Sequence, residues 1–230
     1  MSDKPRWTER PLPLLPSSLR LRIKRWAELR YWRTRESIDS NAHYEYFFTE
    51  HFGLDRDFYK GKRVLDVGCG PRGSLEWMDV ASEVVGADPL ADEYRKIGAP
   101  KGRMQYVAAR AEELPFPDGH FDVVSAFNAL DHVENVSAAA AEIARVTTPG
   151  GSFLLIVEVG HEPTWTEPHT LAADFHRALE GWETRSEQVY AFHEAVYASV
   201  RARKPYKGGV GILSARLERT AVPSKRPVTS

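Results

Sequence analysis

The chain has 230 residues, 42% hydrophobic and 27% charged, with a net charge of −1. Those proportions describe an ordinary globular protein with enough chain for one substantial core. No run of about 18 apolar residues occurs, which excludes a spanning helix, and the single cysteine, Cys69, excludes an internal disulfide. A lone thiol and the charged, proline-broken start "MSDKPRWTERPLPLLP" are what a cytoplasmic protein with no membrane partner would carry.

The charge is uneven. Residues 1–35 hold ten Lys/Arg against three acids, and residues 201–230 hold eight against one, so the middle is acidic. Neither end clusters its charge, and a solvated helix and a polar tail account for both.

Residues 1–16 read as an extended arm. Ser17 and Ser18 are suited to cap a helix running to about Arg35, with Leu19, Ile23, Trp26 and Leu29 at helical spacing. A shorter helix follows at about Asn41–His51, stopped by Gly53. From Gly61 strands and helices alternate. "RVLDV", "SEVVGAD", "MQYVAA" and "FDVVSAFN" read as strands, with "PLADEYRKIG" a helix between the second and third. "SAAAAEIARV" is a run of helix formers, broken by "PGG" before the strand "SFLLIVEV". Continuous apolar strands separated by helices imply a parallel sheet covered on both faces. Beyond a loop, "LAADFHRAL" predicts a helix and "WETRSEQVYAF" a strand. "GGVGILSARLER" predicts a last strand, antiparallel at the sheet edge. This divides the chain into a helical arm and lid at 1–59, an α/β domain at 60–220 and a disordered tail at 221–230.

The most informative stretch is "VLDVGCGPRG". In a doubly wound sheet, ligands sit outside the carboxyl ends of the strands where strand order reverses. Gly68, Cys69 and Gly70 fall there, and glycines let a ligand approach backbone N–H groups. Gly73 would allow close packing where a following helix starts. The glycines alone would also suit a dinucleotide. The acids decide otherwise: Asp66, two residues before the turn, repels a pyrophosphate and attracts an ammonium. Asp88, at the end of the second strand, is placed for ribose hydroxyls.

With "GADP", "AEELPFPDGHFDVV" and "RVTTPGGSFLL" following in order, residues 60–160 resemble the class I S-adenosylmethionine-dependent methyltransferases of the type 11 branch. The resemblance implies a Rossmann-like seven-stranded sheet, mostly parallel with the last strand inserted antiparallel, plus N-terminal helices. It implies S-adenosylmethionine as cofactor. By position, Asp66, Gly68, Cys69 and Gly70 would hold the methionine part, Asp88 and Pro89 the ribose side, Ala111 and Glu112 the adenine, and Asn128 the pocket near the sulfonium. Arg110 departs from the family, which commonly has Asp or Asn there.

The family places the segment after the fourth strand, "NALDHVEN", beside the methyl group. His132, with Asp131, is the candidate base, since an imidazole with a pKa near 6.5 accepts a proton at neutral pH. The loop "EVGHEPTWTEPHT" would face the acceptor with Glu158, His161, Glu162, Trp165, Glu167 and His169. A divalent metal could use such a set, but its histidines lack a known ligand spacing, so hydrogen bonding to a polyhydroxylated acceptor, with Trp165 under a sugar face, is preferred and no metal is assigned. Tyr31 and Tyr46, in the lid, would touch cofactor or acceptor. The expected activity is O-methylation of a small-molecule hydroxyl, a sugar or glycoside first, by a possible homodimer. "FNALDH" lacks the (Asp/Asn)-Pro-Pro-(Tyr/Phe) stretch of nucleic-acid methyltransferases, so no nucleic-acid partner is expected. Alternatives are N- or carboxyl-methylation of another metabolite, or a non-catalytic binding subunit.

Overall fold

The structure is a computed structural model describing residues 17–33, 43–99, 102–164 and 166–220. The expected arm, the tail, the start of the second helix and Trp165 lie outside these residues.

Seven strands form one sheet: β1 (Arg63–Val67), β2 (Glu83–Ala87), β3 (Gln105–Val107), β4 (Phe121–Phe127), β5 (Thr147–Val159), β6 (Trp182–Ala191) and β7 (Gly211–Arg219). Their order is β3-β2-β1-β4-β5-β7-β6. The first five pair in parallel, and β7 runs antiparallel to both β5 and β6. The last strand is therefore inserted, and the sheet-edge position predicted from its alternation is corrected. Burial explains the order. The first five residues of β7 are all buried, whereas "ETRSEQ" in β6 leaves that strand largely exposed, so β6 takes the edge. Strand order reverses at β1, between β2 and β4, which opens the ligand crevice at the end of β1.

Among the described residues five α-helices accompany the sheet: α1 (Ser17–Arg33), α2 (Tyr44–Phe48), α3 (Ala91–Lys96), α4 (Val136–Val146) and α5 (Val196–Ala202). The Asn135 side chain caps α4 by accepting the Ala138 N–H at 3.0 Å. Ala139, Ile143 and Val146 of α4 bury against Leu65, Val124 and Phe153 on one sheet face. The other face is filled by aromatics: Tyr44, Phe47, Phe48, Tyr59, Trp77 and Tyr94 join Val64, Val123 and Leu154.

Three local expectations change. No regular helix follows the glycine turn. Residues 68–82 are a chain of turns, and its buried side chains Leu75, Trp77 and Met78 pack into the aromatic cluster on that sheet face. "LAADFHRAL" shrinks to a single 3-10 turn at Phe175–Ala178, with the His176 ring bonded to Glu187 of β6 at 2.6 Å. Conversely, α5 forms where no helix was read, and it buries Val196 and Val200.

Candidate active site at the carboxyl ends of the strands

The turn after β1 is built from positive-φ backbone: Gly68 at 75° and Gly70 at 59°. A Cβ on Gly68 would lie 2.5 Å from the Ala129 Cβ, so a side chain has no room there. The Gly68 N–H bonds to the Ala87 carbonyl at 2.8 Å, which ties the turn to β2. The Gly70 N–H reaches instead toward the Asp88 carboxylate, at 3.2 Å. Asp88 is 5% exposed and also accepts the Leu90 N–H at 2.8 Å. Burial, reinforced by Glu28, pushes its carboxyl well above the usual range.

Asp66 is buried and accepts hydrogen bonds from Ser125 Oγ at 2.6 Å and from Ser74 Oγ. Burial pushes its carboxyl up to about 6, against the pull of the two hydroxyls. Two buried carboxyls with raised proton affinity at one crevice are a site for a ligand that brings an ammonium and hydroxyl groups. The two acids fit the ammonium and the ribose hydroxyls of S-adenosylmethionine, while Gly68 itself is packed against Ala129. Cys69 is buried here too, and burial pushes its thiol well up, which makes it an inert wall.

Where the resemblance expects the adenine, Ala111 is buried and Glu112 accepts the N–H groups of Glu134 at 2.8 Å and Asn135 at 3.3 Å. Arg110 pairs with Glu112 at 3.2 Å and with Glu134 at 3.8 Å. Burial raises the Glu112 carboxyl, but these hydrogen bonds and Arg110 outweigh it and hold the group below its ordinary value. Arg110 thus rigidifies this wall. Asn128 has φ 54°, an unusual backbone for a residue with a side chain, and its N–H bonds to Ile156 at 2.6 Å. The strain sits where β4 leaves the sheet.

Helix α1 lies across this region. Arg25 donates to the Pro89 carbonyl at 2.8 Å, and Tyr94 donates to Glu28 at 3.0 Å. Trp32 lies beside Gly70, within 3.7 Å of where a Cβ would be, and the Arg72 guanidinium stacks over its ring at 5.4 Å. Lys24 donates to the His132 carbonyl. Burial pushes the Lys24 ammonium below the lysine range, opposed by Glu28, Asp131, Glu134 and Glu167.

The rim beyond β4 brings three predicted residues together. His132 Nε2 is 3.6 Å from a Glu167 oxygen and 3.9 Å from an Asp131 oxygen. Asp131 is 1% exposed and Glu167 4%, while the His132 side chain remains one-third open. His169 also faces this segment, with Nε2 2.9 Å from the Val133 carbonyl. His161 is buried with Nδ1 at 2.9 Å from the Glu162 carbonyl, and Glu158 is buried in β5 beside Ile212 of β7. Glu162 itself is exposed.

The two lid tyrosines separate. Tyr31 sits on α1 edge-on to Trp32, at 5.2 Å. Tyr46 points elsewhere: Arg201 of α5 stacks on its ring at 4.4 Å, and Arg203 donates to its hydroxyl at 3.3 Å. Sequence reading missed Tyr44. It is buried near Asp66 and Arg72, and burial pushes its phenol up to about 12. It also missed Lys24, Glu28 and Ser125, since none carries a motif; their roles come from what α1 and β4 touch.

Fold and crevice together define a class I methyltransferase architecture. Comparison with known proteins agrees: residues 65–155 match the methyltransferase-domain family of type 11. The chain is 34% identical over 129 residues to the ubiquinone/menaquinone biosynthesis C-methyltransferase of Shewanella pealeana, covering 46% of this chain and 50% of that protein. It is 33% identical over 144 residues to the demethylmenaquinone methyltransferase of Renibacterium salmoninarum, covering 62% and 60%. The match thus spans about half to three-fifths of these curated relatives. In fold it is similar to the 1,6-didemethyltoxoflavin-N1-methyltransferase of Burkholderia thailandensis, with TM-score 0.61 and 16% identity over 93% of this chain and 94% of that one.

Proposed function

We propose that the protein methylates a small-molecule acceptor at a hydroxyl oxygen or at a carbon next to one, with loss of a proton. S-adenosylmethionine would supply an electrophilic methyl group on its sulfonium. Asp66 and the Gly68–Gly70 backbone would hold the amino-acid end, Asp88 the ribose, and Ala111 and Glu112 the base. Aligning two reactants is worth roughly 7–11 kcal/mol, and α1, held over the crevice through Arg25, Glu28 and Trp32, would keep water out.

The observation that carries the acceptor side is the cluster of Asp131, His132 and Glu167 at the rim. A buried acid–histidine group is suited to bind a hydroxyl and take up its proton. Such a rim favours a hydroxyl acceptor, and the polar loop after β5, with His161 and His169, suits a polyhydroxylated one such as a sugar or glycoside. The names of the relatives, a C-methyltransferase of ubiquinone/menaquinone biosynthesis and a demethylmenaquinone methyltransferase, favour a second reading, methylation at carbon. Both require a proton to leave. Incubation with methyl-labelled cofactor and a panel of sugars, quinols, phenols, amines and carboxylic acids tests the proposal, with the methylated atom located by NMR. Label on a hydroxyl or on a carbon next to one supports it; label on amines alone overturns it.

A further inference from the structure

The rim cluster has a property that proton transfer does not use. Asp131 is 1% exposed, and neither of its carboxylate oxygens has a hydrogen-bond partner among the described residues. A buried carboxylate left in that state is costly, because desolvation is not offset by any donor. Asp131 is aimed into a group of donors. One ligand atom each from Asp131, His132 and Glu167 all lie within 4.8 Å of one another. The two edges through the imidazole are 3.9 Å and 3.6 Å. Three donors bound to one ion at about 2.1 Å stand roughly 3–3.5 Å apart, so small side-chain rotations would close the set. Asp131 and His132 leave β4 together, and Glu167 comes from the loop after β5, so adjacent parallel strands deliver all three to one end of the sheet.

We propose that Asp131, His132 and Glu167 form a binding site for a divalent first-row cation, of which Mn²⁺ is the working example. One imidazole nitrogen and two carboxylate oxygens suit Mn²⁺, Fe²⁺ or Zn²⁺ better than the all-oxygen preference of Mg²⁺ or Ca²⁺. Three protein ligands leave coordination positions open, and at the acceptor rim those positions would take oxygen atoms of the acceptor. The site therefore selects an acceptor with a hydroxyl, or two neighbouring oxygens, near the methylated atom. A hydroxyl bound to such an ion is more acidic; with the ion in place its O–H bond would break with the proton passing to water, and His132, the proton acceptor of the ion-free cluster, would be a ligand instead. The role at the acceptor, unlike the binding of the ion itself, rests on the methyl-transfer reading of the same crevice.

Lys24 gives the proposal a second handle. Its ammonium is bonded to the His132 carbonyl and interacts with Asp131 and Glu167, so it shares their charge with the ion. Removing it should tighten cation binding.

The test is titration of chelator-treated full-length protein with Mn²⁺, followed by electron paramagnetic resonance and calorimetry, with S-adenosylhomocysteine titrated into the same sample. One bound ion per chain is expected, with affinity lowered at least about tenfold in Asp131→Asn and in Glu167→Gln and raised in Lys24→Met. S-adenosylhomocysteine binding by each variant certifies its fold, and a variant that fails this check is replaced by Asp131→Ser or Glu167→Ala. No saturable Mn²⁺ or Zn²⁺ binding, or binding indifferent to both acidic substitutions, overturns the cation site. If S-adenosylhomocysteine binds and the ion does not, the methyl-transfer reading stands and this one falls. If the ion binds to the cluster and S-adenosylhomocysteine does not, the reverse holds.

Discussion

The two sides of the crevice are built on different principles. The proposed cofactor side is built locally: Gly68 and Gly70 turn with positive φ, and two buried acids, Asp66 and Asp88, stand at the ends of adjacent strands. The proposed acceptor side is made of side chains borrowed from distant segments. Asp131 and His132 follow β4, Glu167 comes from a loop 35 residues further on, and Lys24 reaches in from α1 across 108 residues of sequence. A site fixed by backbone depends on local residue types. A site assembled by tertiary contact depends on which loops the sheet order brings together.

The substitution His132→Ala separates the two sides most sharply. We expect it to lower turnover by roughly 10²- to 10⁴-fold while S-adenosylhomocysteine affinity stays unchanged; equal loss of both would mean that the sides are not independent. Next, Asp88→Ala should weaken S-adenosylhomocysteine by roughly ten- to a hundredfold, the loss of hydrogen bonds to a charged group, with turnover at saturating cofactor much less affected. Calorimetry beside steady-state kinetics decides this. Third, Gly68→Ala brings a methyl group to within 2.5 Å of the Ala129 Cβ and fixes a residue at φ 75°. A loss of about 1–3 kcal/mol in folding stability is expected, measured by denaturant unfolding, whereas an unchanged midpoint would show that the turn can relax.

The smallest expected effect concerns pH. The Asp66 carboxyl is raised in the fold to about 6, from about 4 in the unfolded chain. A raised acid stabilises the folded state fully below its unfolded value and loses that contribution as pH rises through its folded value. Cofactor-free protein should therefore lose stability between about pH 4 and pH 6, and Asp88, shifted in the same direction, adds to the fall. Asp66→Asn should flatten the slope, and so should S-adenosylhomocysteine, whose ammonium favours the ionised acid. A melting temperature that rises over this range in the native protein would show that Asp66 is already ionised without a ligand.

Much of the cofactor side was legible beforehand because its instructions are local. "RVLDV" and "GCG" announce a strand and a turn without side chains, and the acid before the glycines separates an ammonium from a phosphate. The helix expected after Gly73 was not, since nothing nearby signals that N-terminal aromatics would cover that face instead. The acceptor loop was recognised as polar and acidic, but which of its members meet His132 was not. Glu167 does, His169 turns to the Val133 carbonyl, and Glu162 stays in solvent.

By itself, then, the sequence determined the alternation of strands and helices, the glycine turn and the two acids that flank it, because periodicity and backbone freedom act over a few residues. Tertiary structure alone decided three things. It placed β7 inside the sheet with β6 at the edge, laid α1 over the crevice, and drew Asp131, His132 and Glu167 together. Each depends on surfaces far apart in the chain meeting as the core is buried, and no local pattern of residues encodes such a meeting.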